Sequence, residues 1–158
     1  MTQTDVALYR ALNKSEFPDT LALVVNDVPV DGILYPQFVE RQFTANGVVR
    51  TRAPDVTVTT ESGVNYVSAG GGGTSLFDKA FVFGNRYWRS FTIPNGTEIP
   101  DSLSIVKGNY STERSATHYQ IEVRAGRMEV DAFKGALDNL ARNAVVKLCE
   151  KGKAEAKE

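Results

Sequence analysis

The sequence predicts an α+β fold, with a strand-rich body followed by one C-terminal helix. Two observations carry that prediction. Between residues 6 and 124, apolar residues alternate or gather in short runs that Gly, Pro and Asn interrupt at turn spacing. Beyond residue 130 the apolar period becomes helical, and Phe133, Leu137, Leu140, Ala141, Ala144, Val145 and Leu148 fall on one stripe.

The elements follow in order. Val6, Leu8 and Arg10 alternate with Ala7, Tyr9 and Ala11, as a short strand with one wet face requires. Leu21-Ala22-Leu23-Val24-Val25 suits either a buried strand or part of a helix. Segment 30–43 is ambiguous, and Pro36 argues against a central strand there. Residues 56–60 and 64–68 are β-rich, with Glu61-Ser62-Gly63 as the hairpin turn between them. Segment 79–93 is aromatic (Phe81, Phe83, Tyr87, Trp88, Phe91) and breaks at Gly84-Asn85. After the turn Pro94-Asn95-Gly96, strands are expected at 103–107 and 117–124, the second ended by Ala125-Gly126. Asp131 is placed to cap the helix. Residues 1–150 read as a single domain, and 151–158, where the periodicity is lost, as a frayed polar tail.

Composition narrows the function without naming it. A chain of 158 residues, 42% hydrophobic and 23% charged, has the make-up of one globular domain. A net charge of −1 carries no whole-chain footprint of a nucleic-acid partner. The single cysteine, Cys149, makes no internal disulfide and reads as a packed, inert thiol at the edge of the helical stripe. Residues 1–11 lack a basic segment followed by an apolar core, and no apolar run reaches spanning length, so neither a secretory signal nor a membrane partner is expected. No Cys/His cluster suggests zinc, no metal is expected, and no Gly-x-Ser-x-Gly elbow is present.

The richest local motif is Ala69-Gly70-Gly71-Gly72-Gly73-Thr74-Ser75-Leu76-Phe77-Asp78. Its glycines allow positive φ and close approach of a ligand to the main chain, and Thr74 and Ser75 add two hydroxyls. The motif suits a small polar pocket for phosphate or ribose, or simply a turn between strands. It is no P-loop, since no Lys-Ser/Thr follows at the required spacing. Arg50, Arg52, Arg86, Arg89 and Lys79 are candidates for a local positive patch.

Six landmarks in order give a resemblance. They are Leu8-Tyr9-Arg10-Ala11, Arg52-Ala53-Pro54-Asp55, the run from Gly72 to Ala80, the run from Ile93 to Pro100, Ala116-Thr117-His118-Tyr119-Gln120-Ile121, and the run from Leu137 to Ala144. Together they resemble the small type VI secretion effector toxins of ADP-ribosyltransferase-like fold, the family named for the second type-VI-exported effector.

The resemblance implies split β-sheets forming a cleft, with NAD as substrate. By it, Thr74, Ser75 and His118 are the catalytic set, and Tyr9, Arg10 and Gly73 the dinucleotide-binding set. Arg10 would grip pyrophosphate, since a guanidinium matches phosphate oxygens with paired hydrogen bonds. The hydroxyl pair would orient the nicotinamide ribose, and His118 would hydrogen-bond near the reaction while neutral. Each residue also has a structural reading: turn bonds for Thr74 and Ser75, a surface ion pair for Arg10, a hydrogen-bonded strand histidine for His118. Glu122 falls on the His118 face by period two, but the family lacks a Gln-x-Glu pair here, and a solvated strand residue is the simpler account. Asp78 is left as a structural partner for Arg86 or Lys79. The resemblance further implies a cognate immunity protein, the tube protein of the secretion apparatus as carrier, and passage from the producer's cytoplasm into that of a target cell. Transfer, dinucleotide hydrolysis, a non-catalytic toxin that blocks its target, and a small ligand-binding module all stay open at the level of sequence.

Overall fold

The computed structural model describes residues 2–156 and builds them around one five-stranded antiparallel sheet. That sheet has the order β10-β11-β8-β1-β9, from Leu103–Ser111, Ala116–Val123, Thr74–Phe77, Leu8–Asn13 and Trp88–Ile93 respectively. A three-stranded sheet, β12-β7-β6, comes from Arg127–Glu129, Val64–Gly72 and Val56–Glu61. Two small ribbons complete the strands: β2 (Val24–Val25) with β3 (Val28–Pro29), and β4 (Arg41–Ala45) with β5 (Val48–Arg52). The helix α1, Val130–Ala156, packs over β9, β3 and the smaller sheet. The expected α+β fold with split sheets and a C-terminal helix is the observed one.

Sequence period explains the core. On β1, Leu8 and Leu12 point into it; on β8, Thr74 and Leu76 do; on β9, Phe91 and Ile93. Phe133, Leu137, Leu140, Ala144 and Val145 of α1 close it from the other side. Each large side chain sealed there contributes roughly 1.5–3 kcal/mol. The stripe is shorter than expected, since Leu148 is half-exposed. Asp131 sits inside the first turn of α1 rather than before it, where its charge meets the positive end of the helix dipole. The helix continues through 151–156, where a frayed tail was expected; Gly152 alone among those residues is a weak helix former. Residues 157–158 of that expected tail lie outside the described residues.

The predicted hairpin at 61–63 is present, with Ser62 and Gly63 at φ 51° and 78°, a tight turn of the primed type. A second such hairpin, β4–β5, turns at Asn46-Gly47 (φ 52° and 75°) and was not anticipated; that Asn-Gly pair was its signal. The run 21–25 is neither buried nor helical: Val24 and Val25 form a short exposed ribbon strand.

Segment 30–40 resolves its ambiguity by being irregular. A buried irregular chain must have its peptide groups satisfied from elsewhere, and side chains do so here. Asp138 of α1 accepts from the Gly32 amide (3.1 Å) and the Tyr35 hydroxyl (2.6 Å). Thr74 Oγ1 donates to the Leu34 carbonyl (2.6 Å), Arg10 Nη2 to the Tyr35 carbonyl (3.0 Å), and the Gln37 amide donates to Asp55 Oδ2 (2.8 Å). The strap these bonds fix carries fully buried Ile33 and Leu34 and forms one wall of the main cavity.

Candidate active site in a split between strands

β1 pairs β9 along its whole length, from Leu8–Ile93 to Asn13–Trp88. On its other edge it registers with β8 only at Tyr9–Phe77. Continued pairing would set Ala11 against Ser75. Instead the strands part, and the Ser75 carbonyl accepts Arg10 Nη1 at 3.1 Å. A cavity of about 770 Å³ opens at this split, with Ala11 and Ser75 both in its wall. That volume lies within the range of small-molecule pockets.

The walls differ in chemistry. One is aromatic, made of Phe77, Phe83 and Trp88, with Phe83 edge-on to Phe77 (5.6 Å) and tilted on Trp88 (5.0 Å). The other is charged and polar: Arg10, Arg41, Arg52, Glu16, Asp55 and Gln37. Tyr35 also lines the cavity, and burial, then its bond to Asp138, pushes its phenol well above the usual range, so it remains a hydrogen-bond donor.

Ser75 reaches the cavity with a partner behind it. His118 Nε2 lies 3.0 Å from Ser75 Oγ, and the imidazole packs on the Phe77 ring at 5.4 Å. Strand register explains the meeting: β11 pairs β8 with His118 opposite Phe77 and Gln120 opposite Ser75, so all four share one face. Burial pulls the His118 pKa below its ordinary 6.5, so the ring is neutral at pH 7. A neutral ring uses one nitrogen to accept from, or donate to, the serine hydroxyl. In either tautomer the bond fixes the position of Ser75 Oγ, on a residue that lines the cavity. His118 itself is absent from the lining and acts on the cavity only through Ser75.

Of the other expected site residues, Thr74, Gly73 and Tyr9 lie away from the cavity surface. Thr74 is fully buried on the core face, and its hydroxyl donates to the Leu34 carbonyl, which fixes the strap. Gly73 does not line the cavity: a Cβ there would lie 1.8 Å from the Ile121 carbonyl oxygen, so close strand packing requires the glycine. Gly72, at φ 95°, would likewise drive a Cβ to 2.1 Å from the Asp55 carbonyl oxygen. The glycine run is thus a tight crossover between sheets rather than an anion nest. Tyr9 shares the face of Ser75 and His118 by register, yet stays outside the lining.

Arg10 does line the cavity, but two of its N–H groups end on the Ser75 and Tyr35 carbonyls, bracing both walls. Burial pulls its pKa below the usual guanidinium range, while Asp55 and Glu16 oppose the shift. Of the candidate positive patch, Arg52 lines the cavity, while Arg89 Nη1 donates to the Pro18 (2.9 Å) and Leu21 (2.7 Å) carbonyls and ties down the segment beside Phe17. Asp78 accepts the Thr117 amide at 2.8 Å, closing the β8–β11 pairing instead of pairing with Arg86 or Lys79. Glu122 is half-buried and outside the cavity lining. Cys149 is half-buried, its thiol 3.7 Å from Asp27 Oδ1. Sequence reasoning missed Tyr35, Gln37 and Asp138, for which periodicity offers no signal. Asp55 and Asp138 both fall within the landmark runs, but neither run carries a sign of the residue's structural role.

A split antiparallel sheet with a cleft at the split, and a C-terminal helix packed over the core, is the arrangement of ADP-ribosyltransferase-like proteins. The chain belongs to the family described as Tse2 ADP-ribosyltransferase toxin, whose family model matches residues 3–149. It is 32% identical over 158 residues to Toxin Tse2 of Pseudomonas aeruginosa, covering 96% of this chain and 95% of that one. The protein is therefore a toxin with a transferase-like domain.

Proposed function

We propose that the cleft between β1 and β8 binds NAD as substrate and that the toxin cleaves its nicotinamide–ribose bond, passing ADP-ribose to an acceptor in the cytoplasm of a target bacterium. The observation that carries this reading is Ser75, backed by neutral His118 and facing a ligand-sized cavity, in a chain of this family. The residues suit the dinucleotide: an aromatic wall for a planar ring, arginines for phosphates, and an oriented hydroxyl for a ribose. In the reaction, nicotinamide leaves with the electron pair of the broken C–N bond, and the acceptor gives up a proton as it bonds to the ribose carbon. Ser75 holds the ribose while positive charge develops on it, and His118 keeps the serine oxygen in place. Water in the acceptor's place makes the same cleft a hydrolase. Export by type VI secretion through a tube protein, and protection of the producer by an immunity protein, belong to the same proposal and rest on the family alone.

The test is to incubate the purified toxin with NAD and a bacterial lysate, following nicotinamide release and ADP-ribose attachment separately. Release with attachment supports transfer, and release alone supports hydrolysis. A folded wild-type toxin that arrests growth without consuming NAD in either assay sinks the proposal.

A further inference from the structure

Arg10 was the expected grip on the pyrophosphate; two of its N–H groups hold carbonyls and its Nε is buried without a partner among the described residues, and the cavity holds two further, more exposed cations. Arg41 and Arg52 stand directly opposite each other in the β4–β5 register, on one face of the ribbon, and both line the cavity. Cβ atoms so placed are about 4.5–5.5 Å apart, and like charges there destabilise the pairing. Two carboxylates of the same cavity offset the repulsion: Arg41 Nη1 pairs with Glu16, and Arg52 Nη2 lies 3.6 Å from Asp55. Both arginine side chains are about half exposed (42% and 54%), so these pairs are weak and easily exchanged. Release leaves neither carboxylate stranded, because Asp55 keeps the Gln37 amide and Glu16 is in contact with water.

We infer that Arg41 and Arg52, side by side on the β4–β5 ribbon, form a clamp for a diphosphate group, exchanging Glu16 and Asp55 for phosphate oxygens when ligand enters. The inference deepens the NAD reading and rests on it for the identity of the whole ligand, though the clamp itself requires only a diphosphate. Two guanidinium groups on one face present their N–H forks to adjacent phosphates, a geometry lysines cannot reproduce. Arg10 is then a positioning residue, holding Ser75 and Tyr35 across the split.

The experiment is calorimetric titration of the full-length protein with ADP-ribose, inorganic pyrophosphate and adenosine at two salt concentrations. Arg41→Gln and Arg52→Gln should each weaken ADP-ribose and pyrophosphate binding about tenfold or more, the range of one charge-assisted hydrogen bond. Adenosine binding should be unchanged, and the double variant should lose most of the salt dependence. Arg50→Gln, on the same ribbon but outside the cavity lining, should bind like wild type. Diphosphate binding that survives in the double variant, or absence of diphosphate binding by wild type, overturns the clamp. Clamp behaviour in a protein that consumes no NAD upholds this inference while the catalytic proposal fails. NAD consumption at unchanged KM in the double variant does the reverse.

Discussion

Thr74 and Ser75 are neighbours in the chain and belong to two different regions of the molecule. Strand alternation sends the threonine into the packed half beneath α1 and the serine into the open half at the split. In the packed half, a hydroxyl is tolerated because it completes a backbone account that the strap cannot close by itself. In the open half, a hydroxyl is left available to a ligand and is merely held from behind. The same contrast runs through the arginines: Arg10 and Arg89 brace backbone carbonyls, whereas Arg41 and Arg52 carry exchangeable carboxylate partners. Residue type therefore says little about role here; the side of the strand says most.

The largest expected effects lie in the packed half. Phe133, fully buried at the head of α1, should cost about 3–5 kcal/mol on truncation to alanine. Val49→Ala, on the exposed ribbon, should stay within roughly 0.5 kcal/mol. Urea unfolding of the two variants measures the difference, and equal midpoints would break the division into halves.

Gly73→Ala comes next. The added Cβ must displace the Ile121 carbonyl, and overpacking of this kind costs about 1–3 kcal/mol or more. Gly70→Ala, with open space at that position but φ 78°, should cost only the backbone strain. Should both variants unfold at one temperature, crossover packing is not what the glycine at 73 serves.

The hydroxyl pair sharpens the comparison. Thr74→Ala leaves the Leu34 carbonyl without its partner, at about 1–3 kcal/mol of stability, and Thr74→Ser should restore most of it. Ser75→Ala should leave the thermal midpoint within a degree or two, yet cut NAD turnover about tenfold to a hundredfold. Circular dichroism melts beside a nicotinamide-release assay separate the two. A Thr74→Ala protein that keeps its thermal midpoint yet is inactive, with activity restored in Thr74→Ser, returns the threonine to the reacting group.

The smallest effects concern charge on β11. His118 has its pKa lowered by burial, so the neutral ring's contribution to stability is fully present above about pH 6.5 and is lost as pH falls through the lower folded value. Turnover should fall over the same acid range as the imidazolium forms, and His118→Ala should flatten that limb while lowering activity at pH 7. Glu122→Ala should change neither, since it lies about 13 Å along the strand from His118. A pH–rate profile for each variant decides, and a silent His118→Ala beside a dead Glu122→Ala restores glutamate chemistry.

What the sequence determined is whatever depends on period and local turn chemistry. The helical stripe from Phe133 to Val145, the strands around Ser62-Gly63, and the common face of His118, Gln120 and Glu122 follow from side-chain spacing alone. Asn46-Gly47 announced its hairpin by the same local logic. Where strands stop pairing is another matter. The opening between Ala11 and Ser75, the spending of Arg10 on two carbonyls, and the irregular strap held by Asp138, Thr74 and Asp55 arise between segments far apart in sequence. Each depends on which buried peptide groups lack a partner once the core has closed. That demand exists only in three dimensions, so no spacing along the chain records it.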